Sequence, residues 1–292
     1  MVWILLVLVY GILKGFRDIC KKKALLKNKV VEVLLVYTAL AFLMVTPEIP
    51  KAGGVPAKEM LLIAFKSFII FVAFLCSFYA IEKMPISLYG ILDLSRMLFA
   101  ELLGVIILNE TLSVKQIVGL FLVSFGLIML KYKPKAKKRS DSEITGERSY
   151  ERVEVYIVVL AFISTILNAV SGIMDKILTR TVTDGQLQFW YMFYMLIYYI
   201  LYVLFTKTKI NWKSVLSNPY VYAISIMFVL ADRALFIANC DPNSKVTIMT
   251  LIKQSCCIVT IFGGWLIFKE KNIRYKLLCA AVVVSGIVVS IV

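Results

Sequence analysis

Histidine is absent from all 292 residues of this chain. Without an imidazole there is no Ser-His hydrolase relay and no His-dependent acyl transfer, and most zinc sites lose a ligand they need. The Gly-x-Gly-Asp element of intramembrane aspartyl proteases is missing as well, as is a Walker loop that would couple a pump to ATP. These absences argue against an enzyme, and neither a metal nor a cofactor is expected. Cysteine is sparse: Cys20, Cys76, Cys240, Cys256, Cys257 and Cys279 lie in or beside apolar stretches without CxxC spacing, so packing is their expected role. Charged residues make up only 17% of the chain.

What is abundant is apolar surface. At 61% hydrophobic residues and a mean hydropathy of +0.86, a soluble fold would lack the polar side chains to cover itself. Ten mostly apolar stretches cover 2–19, 30–46, 60–81, 86–108, 112–130, 153–174, 187–205, 219–239, 246–268 and 273–292. Each approaches the roughly 20 residues a helix needs to cross about 30 Å of hydrocarbon. Ten spans also argue against a seven-span receptor built around a buried lysine. The first stretch has no basic segment before it, and Lys21, Lys22 and Lys23 follow it, so a retained helix is expected and not a cleaved signal.

The stretches form two sets of five, separated by the Lys-, Ser- and Glu-rich segment KYKPKAKKRSDSEITGERSYER. That segment has too little apolar surface to fold and reads as a flexible tether, with a lipid-headgroup patch as the functional alternative. A shift of 160 residues places Gly104, Glu110 and Gly126 on Gly264, Glu270 and Gly286; a shift of 157 places Gly15, Asp18 and Tyr37 on Gly172, Asp175 and Tyr194. Five spans per half means that related halves sit upside down relative to one another. The expected fold is an all-α integral membrane protein of ten transmembrane helices in two inverted five-helix repeats, 1–132 and 153–292, with a basic linker at 133–152.

Loop charge points the same way. Lysines and arginines in alternate loops number 21 on one side and six on the other. By the positive-inside rule the richer side is cytoplasmic and both termini lie outside. The net charge of +15 is spread over these loops and forms no single patch, so no nucleic-acid partner is expected.

The run LLGVIILNETLSVKQIVGLFLVSFGLIML, with its Gly-x5-Glu-x15-Gly spacing, resembles the close of each half in EamA-type transporters of the drug/metabolite transporter superfamily. GGWLIFKEKNIRYKLLCAAVVVSGIVV is similar to the same element, with Lys271 and Asn272 where a Thr-Leu type pair is usual. Asp175-Lys176 followed by Gln188-Phe189-Trp190-Tyr191 is similar to the opening of the second half in some bacterial members. The resemblance covers essentially the whole chain. It implies a two-repeat carrier whose cavity is lined by the third, fourth, eighth and ninth helices. Relatives export amino acids and other small metabolites; other branches move nucleotide sugars, phosphorylated compounds or lipid-linked sugars. The family is usually drawn with cytoplasmic termini, the reverse of what the loop charges indicate.

Charges within the spans mark the candidate site: Lys66, Asp93, Arg96, Glu101, Asp232, Arg233 and Lys253. Each costs about 2.5 to 3.5 kcal/mol at the midplane, against roughly 0.3 to 0.6 returned per large apolar residue. At 100° per residue, Arg96 lies about 60° to one side of Asp93 and Glu101 about 80° to the other, so the three share a stripe. The 160-residue shift sets Lys253 on Asp93. The expectation is that these two pair or bracket a zwitterion, with Arg96 and Arg233 for a carboxylate or phosphate. An Asp93 and Arg96 pair satisfied within one helix is the structural alternative.

Asp18 and Asp175, beside Arg17 and Lys176, are expected to pair at the interface; Glu110 and Glu270 are expected to cap or orient helices. Trp190, Tyr194, Tyr198 and Tyr202 recur at i+4, as a cavity wall or a packing face. Gly11 and Gly15 form a GxxxG for close helix approach. The expected function is secondary, ATP-independent transport of a small polar metabolite such as an amino acid by alternating access, as an exporter, in the plasma membrane. A flippase or carrier for a lipid-linked sugar is the alternative. The expected partners are the substrate and the bilayer; one chain suffices for a complete cavity, and a homodimer is compatible with it.

Overall fold

The computed structural model describes residues 2–96, 98–99, 113–129, 153–241, 244, 249, 252–270 and 272–291. These form eleven α-helices and no strand among the described residues: α1 (Val2–Ala24), α2 (Val30–Val45), α3 (Ala57–Lys83), α4 (Ile86–Asp93), α5 (Val114–Met129), α6 (Val155–Leu178), α7 (Asp184–Thr206), α8 (Trp212–Leu216), α9 (Pro219–Cys240), α10 (Ser255–Phe268) and α11 (Ile273–Ile291). A 3₁₀ helix, Thr46–Lys51, follows α2. Each of the ten apolar stretches contains one of these helices among its described residues, and α8 is a short addition between α7 and α9. Among the described residues, five segments are long and apolar enough to cross a membrane: Val30–Lys51, Ala57–Lys83, Val155–Leu178, Asp184–Thr206 and Pro219–Cys240.

Helix ends follow from local chemistry. Thr183 and Gln186 cap the start of α7 reciprocally, each side chain bonding the other's backbone. Asn218 accepts from the Tyr220 amide with Pro219 at the first helical position of α9. At their other ends, α7 and α10 stop on Lys207 and Lys269 in the left-handed conformation, φ 51° for both. The first helix departs from expectation. It does not end at residue 19 but runs to Ala24, and Lys21 and Lys22 are buried instead of lying free in a loop.

The packing pairs the two halves. α1 lies along α9 and α6 along α3; α3 meets α7 and α9 meets α2; α2 touches α7, α4 touches α10 and α5 touches α11. Exchanging α1 to α5 for α6, α7, α9, α10 and α11 maps this set of neighbours onto itself, which is compatible with an inverted repeat. The glycines matched at 160 residues meet across one of these contacts: a Cβ on Gly126 would enter Val283 of α11, and one on Gly286 would enter the backbone of α5 at Gly119 and Val123. Outside, α5 presents Val114, Ile117, Phe121, Phe125 and Ile128 along one exposed face. An apolar stripe of that kind belongs against lipid.

Two helices break at matching positions. α4 ends at Asp93, and the Leu94 and Ser95 amides donate to Ile91 and Leu92 in tight i→i+3 bonds before helical residues resume at Arg96. In the second half Ile252 and Lys253 are helical, Gln254 is a turn, and α10 starts at Ser255. Leu94 and Gln254 are 160 residues apart, so the interruption falls at one place in the repeat. Such a tightened turn inside a helix marks a place where the chain can flex.

Candidate functional site

α1 presents Lys14, Arg17, Asp18 and Lys21 on one face, since these positions fall at i, i+3, i+4 and i+7. All four are buried. The Asp18 carboxylate receives Lys21 at 2.8 Å and Lys14 at 3.4 Å. Lys14 also reaches across to α4, donating to Asp93 at 2.7 Å. Arg96 closes on the other Asp93 oxygen at 3.0 Å. Asp93 therefore holds Lys14 and Arg96, and the expected pair with Lys253 does not form among the described residues. The i,i+3 pairing of Asp93 with Arg96 is present.

On the opposite wall the Lys66 ammonium from α3 sits 2.7 Å from the Asp175 carboxylate of α6 and 3.7 Å from the centre of the Tyr191 ring. Asp18 and Asp175, matched by the 157-residue shift, thus both lie in the protein's interior and not at its interface as expected. Arg17 rests on the Phe228 ring, 5.1 Å from its centroid, with Asp232 of α9 at 3.9 Å, too long for a hydrogen bond. Lys253 approaches the Tyr10 ring at 5.7 Å. It has no carboxylate within ion-pair distance among the described residues.

These groups surround one cavity of about 60 Å³, and Ser171, Gly172 and Asn239 add a smaller polar lining. Its walls come from α1, α3, α6, α7 and α9 and from the breaks after α4 and before α10. The third, fourth, eighth and ninth spans contribute, as the family resemblance implies, but so do the first, sixth and seventh. Of the candidate residues, Lys66, Arg96, Asp232 and Lys253 line it, and Asp93 stands behind the lining, bonded to Lys14 and Arg96.

Arg233, Trp190 and Tyr194 do not line this cavity. Arg233 lies one position on from Asp232, about 100° round the helix, and bonds Glu48 and Asp184, both at 3.2 Å. The Trp190 indole donates to the Ala52 carbonyl at 2.8 Å, and Tyr194 packs against Trp190 and Phe193. Tyr198 donates to the Ala64 carbonyl. The i+4 aromatic face of α7 therefore packs on α3 and the 3₁₀ helix, while Tyr191, next to Trp190, faces the cavity. Glu101 and Glu110 lie outside the described residues. Glu270 orients a helix as expected: it accepts from the Ile86 amide at 2.7 Å, from the Ser87 hydroxyl and from Lys276 at 2.7 Å.

Both ends of the cavity are tied. At one, Arg233 joins the 3₁₀ helix to α7 and α9, and the Gln186 side chain donates to the Gly53 carbonyl at 2.7 Å. At the other, Lys22 donates to the carbonyls of Ile81, Glu82 and Met84 at 2.7, 2.9 and 3.0 Å, holding α1 to the turn between α3 and α4. Glu270 closes the same end from α10.

A bundle of apolar helices around a buried charged cavity defines a multi-pass membrane protein of the transporter class. Residues 1–132 match the EamA-like transporter family. The first half of the chain is therefore similar to the EamA-type transporters of the drug/metabolite transporter superfamily, whose motif spacing its sequence also resembles. A crystal structure published simply as that of a protein is similar in fold, with a TM-score of 0.60 and 13% identity over 96% of this chain and 95% of that one. No curated protein matches the chain.

Proposed function

We propose that this EamA-type protein is a secondary carrier that moves a small polar metabolite through the cavity between its two halves by alternating access. The observation that carries this reading is the cluster of buried, mutually paired charges at the centre of an apolar bundle. Such groups are costly in a membrane interior and are retained where a pathway needs them. The cavity of about 60 Å³ holds about four to six waters at roughly 10 to 15 Å³ each. A metabolite therefore enters only when one end opens. The Arg233, Glu48 and Asp184 cluster at one end and the Lys22 and Glu270 contacts at the other are the two closures, and the breaks beside Asp93 and Lys253 are where the flanking helices bend. Export is the direction the resemblance implies, and the plasma membrane is the location proposed with it.

The test is thermal stabilisation of the purified full-length protein by amino acids, sugars, nucleotides and phosphorylated metabolites, with Arg96→Ala and Lys253→Ala in parallel. The expected result is a class of soluble compounds that raises the melting temperature of the parent and not of the variants. A shift produced only by glycosylated or anionic lipids would replace the carrier with a flippase.

A further inference from the structure

The charges around the cavity do not cancel. Lys14, Arg17, Lys21, Lys66, Arg96 and Lys253 face only Asp18, Asp93, Asp175 and Asp232, which leaves a surplus of two positive charges among the described residues. The surplus can be assigned to particular groups. Lys14 and Lys21 are taken by Asp18 and Asp93, and Lys66 by Asp175. Lys253 meets an aromatic ring, not a carboxylate. Arg17, only 4% exposed, leaves Nε and Nη1 without a hydrogen-bond acceptor, and Arg96 leaves its own Nε without one.

Buried guanidinium donors are expensive to leave unmade. Three of them, beside a lysine with no carboxylate partner among the described residues, form a site that lacks acceptors within the described residues. The asymmetry of the repeat supports the same conclusion. The 157-residue shift that matches Asp18 with Asp175 sets Ser171, Met174 and Leu178 opposite Lys14, Arg17 and Lys21. The two-repeat fold therefore does not require the cations of α1; this chain has added them on one side only.

We propose that the substrate is a small dianion carrying its charge on oxygen, a phosphate monoester or a dicarboxylate, held by Arg17, Arg96 and Lys253. This rests on the carrier reading given above and narrows it. The planar guanidinium presents paired N–H donors that fit two oxygens of a phosphate or carboxylate. Lys253 supplies a compact positive charge from just before α10, beside the Tyr10 ring that also lines the cavity. Two negative charges balance the surplus of the described residues. A zwitterion leaves the surplus as it was, and a neutral sugar adds no charge.

The test uses the full-length protein in liposomes and four radiolabelled probes: glycerol 3-phosphate, succinate, serine and glycerol. Uptake of glycerol 3-phosphate or of succinate should exceed that of serine and glycerol at least tenfold, and whichever of the two moves identifies phosphate or dicarboxylate as the chemistry read. Lys253→Gln removes a cation without stranding a carboxylate, so it should melt as the parent does while losing at least tenfold of dianion uptake. Arg17→Lys, which keeps the charge but not the fork, should raise the half-saturating concentration of the dianion.

Faster flux of serine than of either dianion, or dianion flux unchanged in Lys253→Gln, overturns the dianion assignment and leaves the carrier intact. Silence from all four probes, in vesicles whose protein is stabilised by some other soluble compound, has the same effect. If no soluble compound stabilises or crosses, the carrier reading falls together with the dianion.

Discussion

Lys22 and Lys66 show two ways of keeping an ammonium inside an apolar bundle. Lys22 takes three backbone carbonyls left over where α3 ends, so its charge is solvated by the ends of peptide dipoles. Substituting it, as Lys22→Met, keeps the volume and deserts the carbonyls; a loss of about 1 to 3 kcal/mol is expected, read as a lower melting temperature in detergent. Lys66 depends instead on a single carboxylate. Lys66→Met leaves Asp175 buried without its cation, a loss of about 3 to 5 kcal/mol, and adding Asp175→Asn should restore most of it. Equal melting temperatures for the single and double variants would mean that the pair carries no coupling. Sequence made Lys66, Asp93, Arg96, Asp232 and Lys253 legible because a charge within an apolar stretch is costly wherever it lies. It did not reveal the α1 face, although Lys14, Arg17, Asp18 and Lys21 have helical spacing, because the lysine run from 21 to 23 resembles the flank of a span ending at 19. Arg233 and Tyr194 were misplaced for a different reason: the helical phase separating Asp232 from Arg233, and Tyr191 from Tyr194, is set by packing partners distant in sequence.

Helices in this protein approach through glycine, and the contacts differ in how much they tolerate. Gly11 and Gly15 seat α1 against the segment from Ile252 to Val259, and Gly90 of α4 faces the Thr260 side chain of α10. Gly172 of α6, which lines the cavity, has nothing near the position a Cβ would take. Gly90→Ala should therefore force α4 from α10 and cost about 1 to 3 kcal/mol, whereas Gly172→Ala should be neutral or gain up to about 1 kcal/mol from helix propensity. Thermal melts of the two variants check this; a stable Gly90→Ala would show that α4 and α10 adjust freely. At this scale the apolar runs and the GxxxG located the helices and one close contact. The breaks after Asp93 and at Gln254 were not legible, because hydrophobicity runs through them and a turn of this kind is set by backbone hydrogen bonding. The matching of the breaks at 160 residues is compatible with the repeat expected from the sequence.

For the dianion carrier proposed above, the cation surplus among the described residues sets the electrical behaviour of the transport cycle. In alternating access the barrier moves past a fixed site, so the charge on the site crosses part of the membrane field each time the carrier turns over. Each charge crossing the full field is worth about 2.3 kcal/mol per 100 mV. A carrier loaded with a dianion turns over near neutrality, whereas an empty one carries its two surplus charges with it. The empty step is therefore the voltage-sensitive one, and it is the slower one, because opening to either side exposes cations that nothing compensates. Dianion exchange, in which the carrier never returns empty, should outpace net flux and should be indifferent to membrane potential. Net efflux should respond to potential, with a defined sign: the empty carrier must bring its positive surplus back from outside to inside, so an inside-negative potential speeds efflux and an inside-positive one slows it. Proteoliposomes clamped with potassium and valinomycin can read both modes on one preparation. Net efflux that is flat with potential would mean that the empty site is neutral, and an exchange rate that follows potential would mean that the loaded one is not.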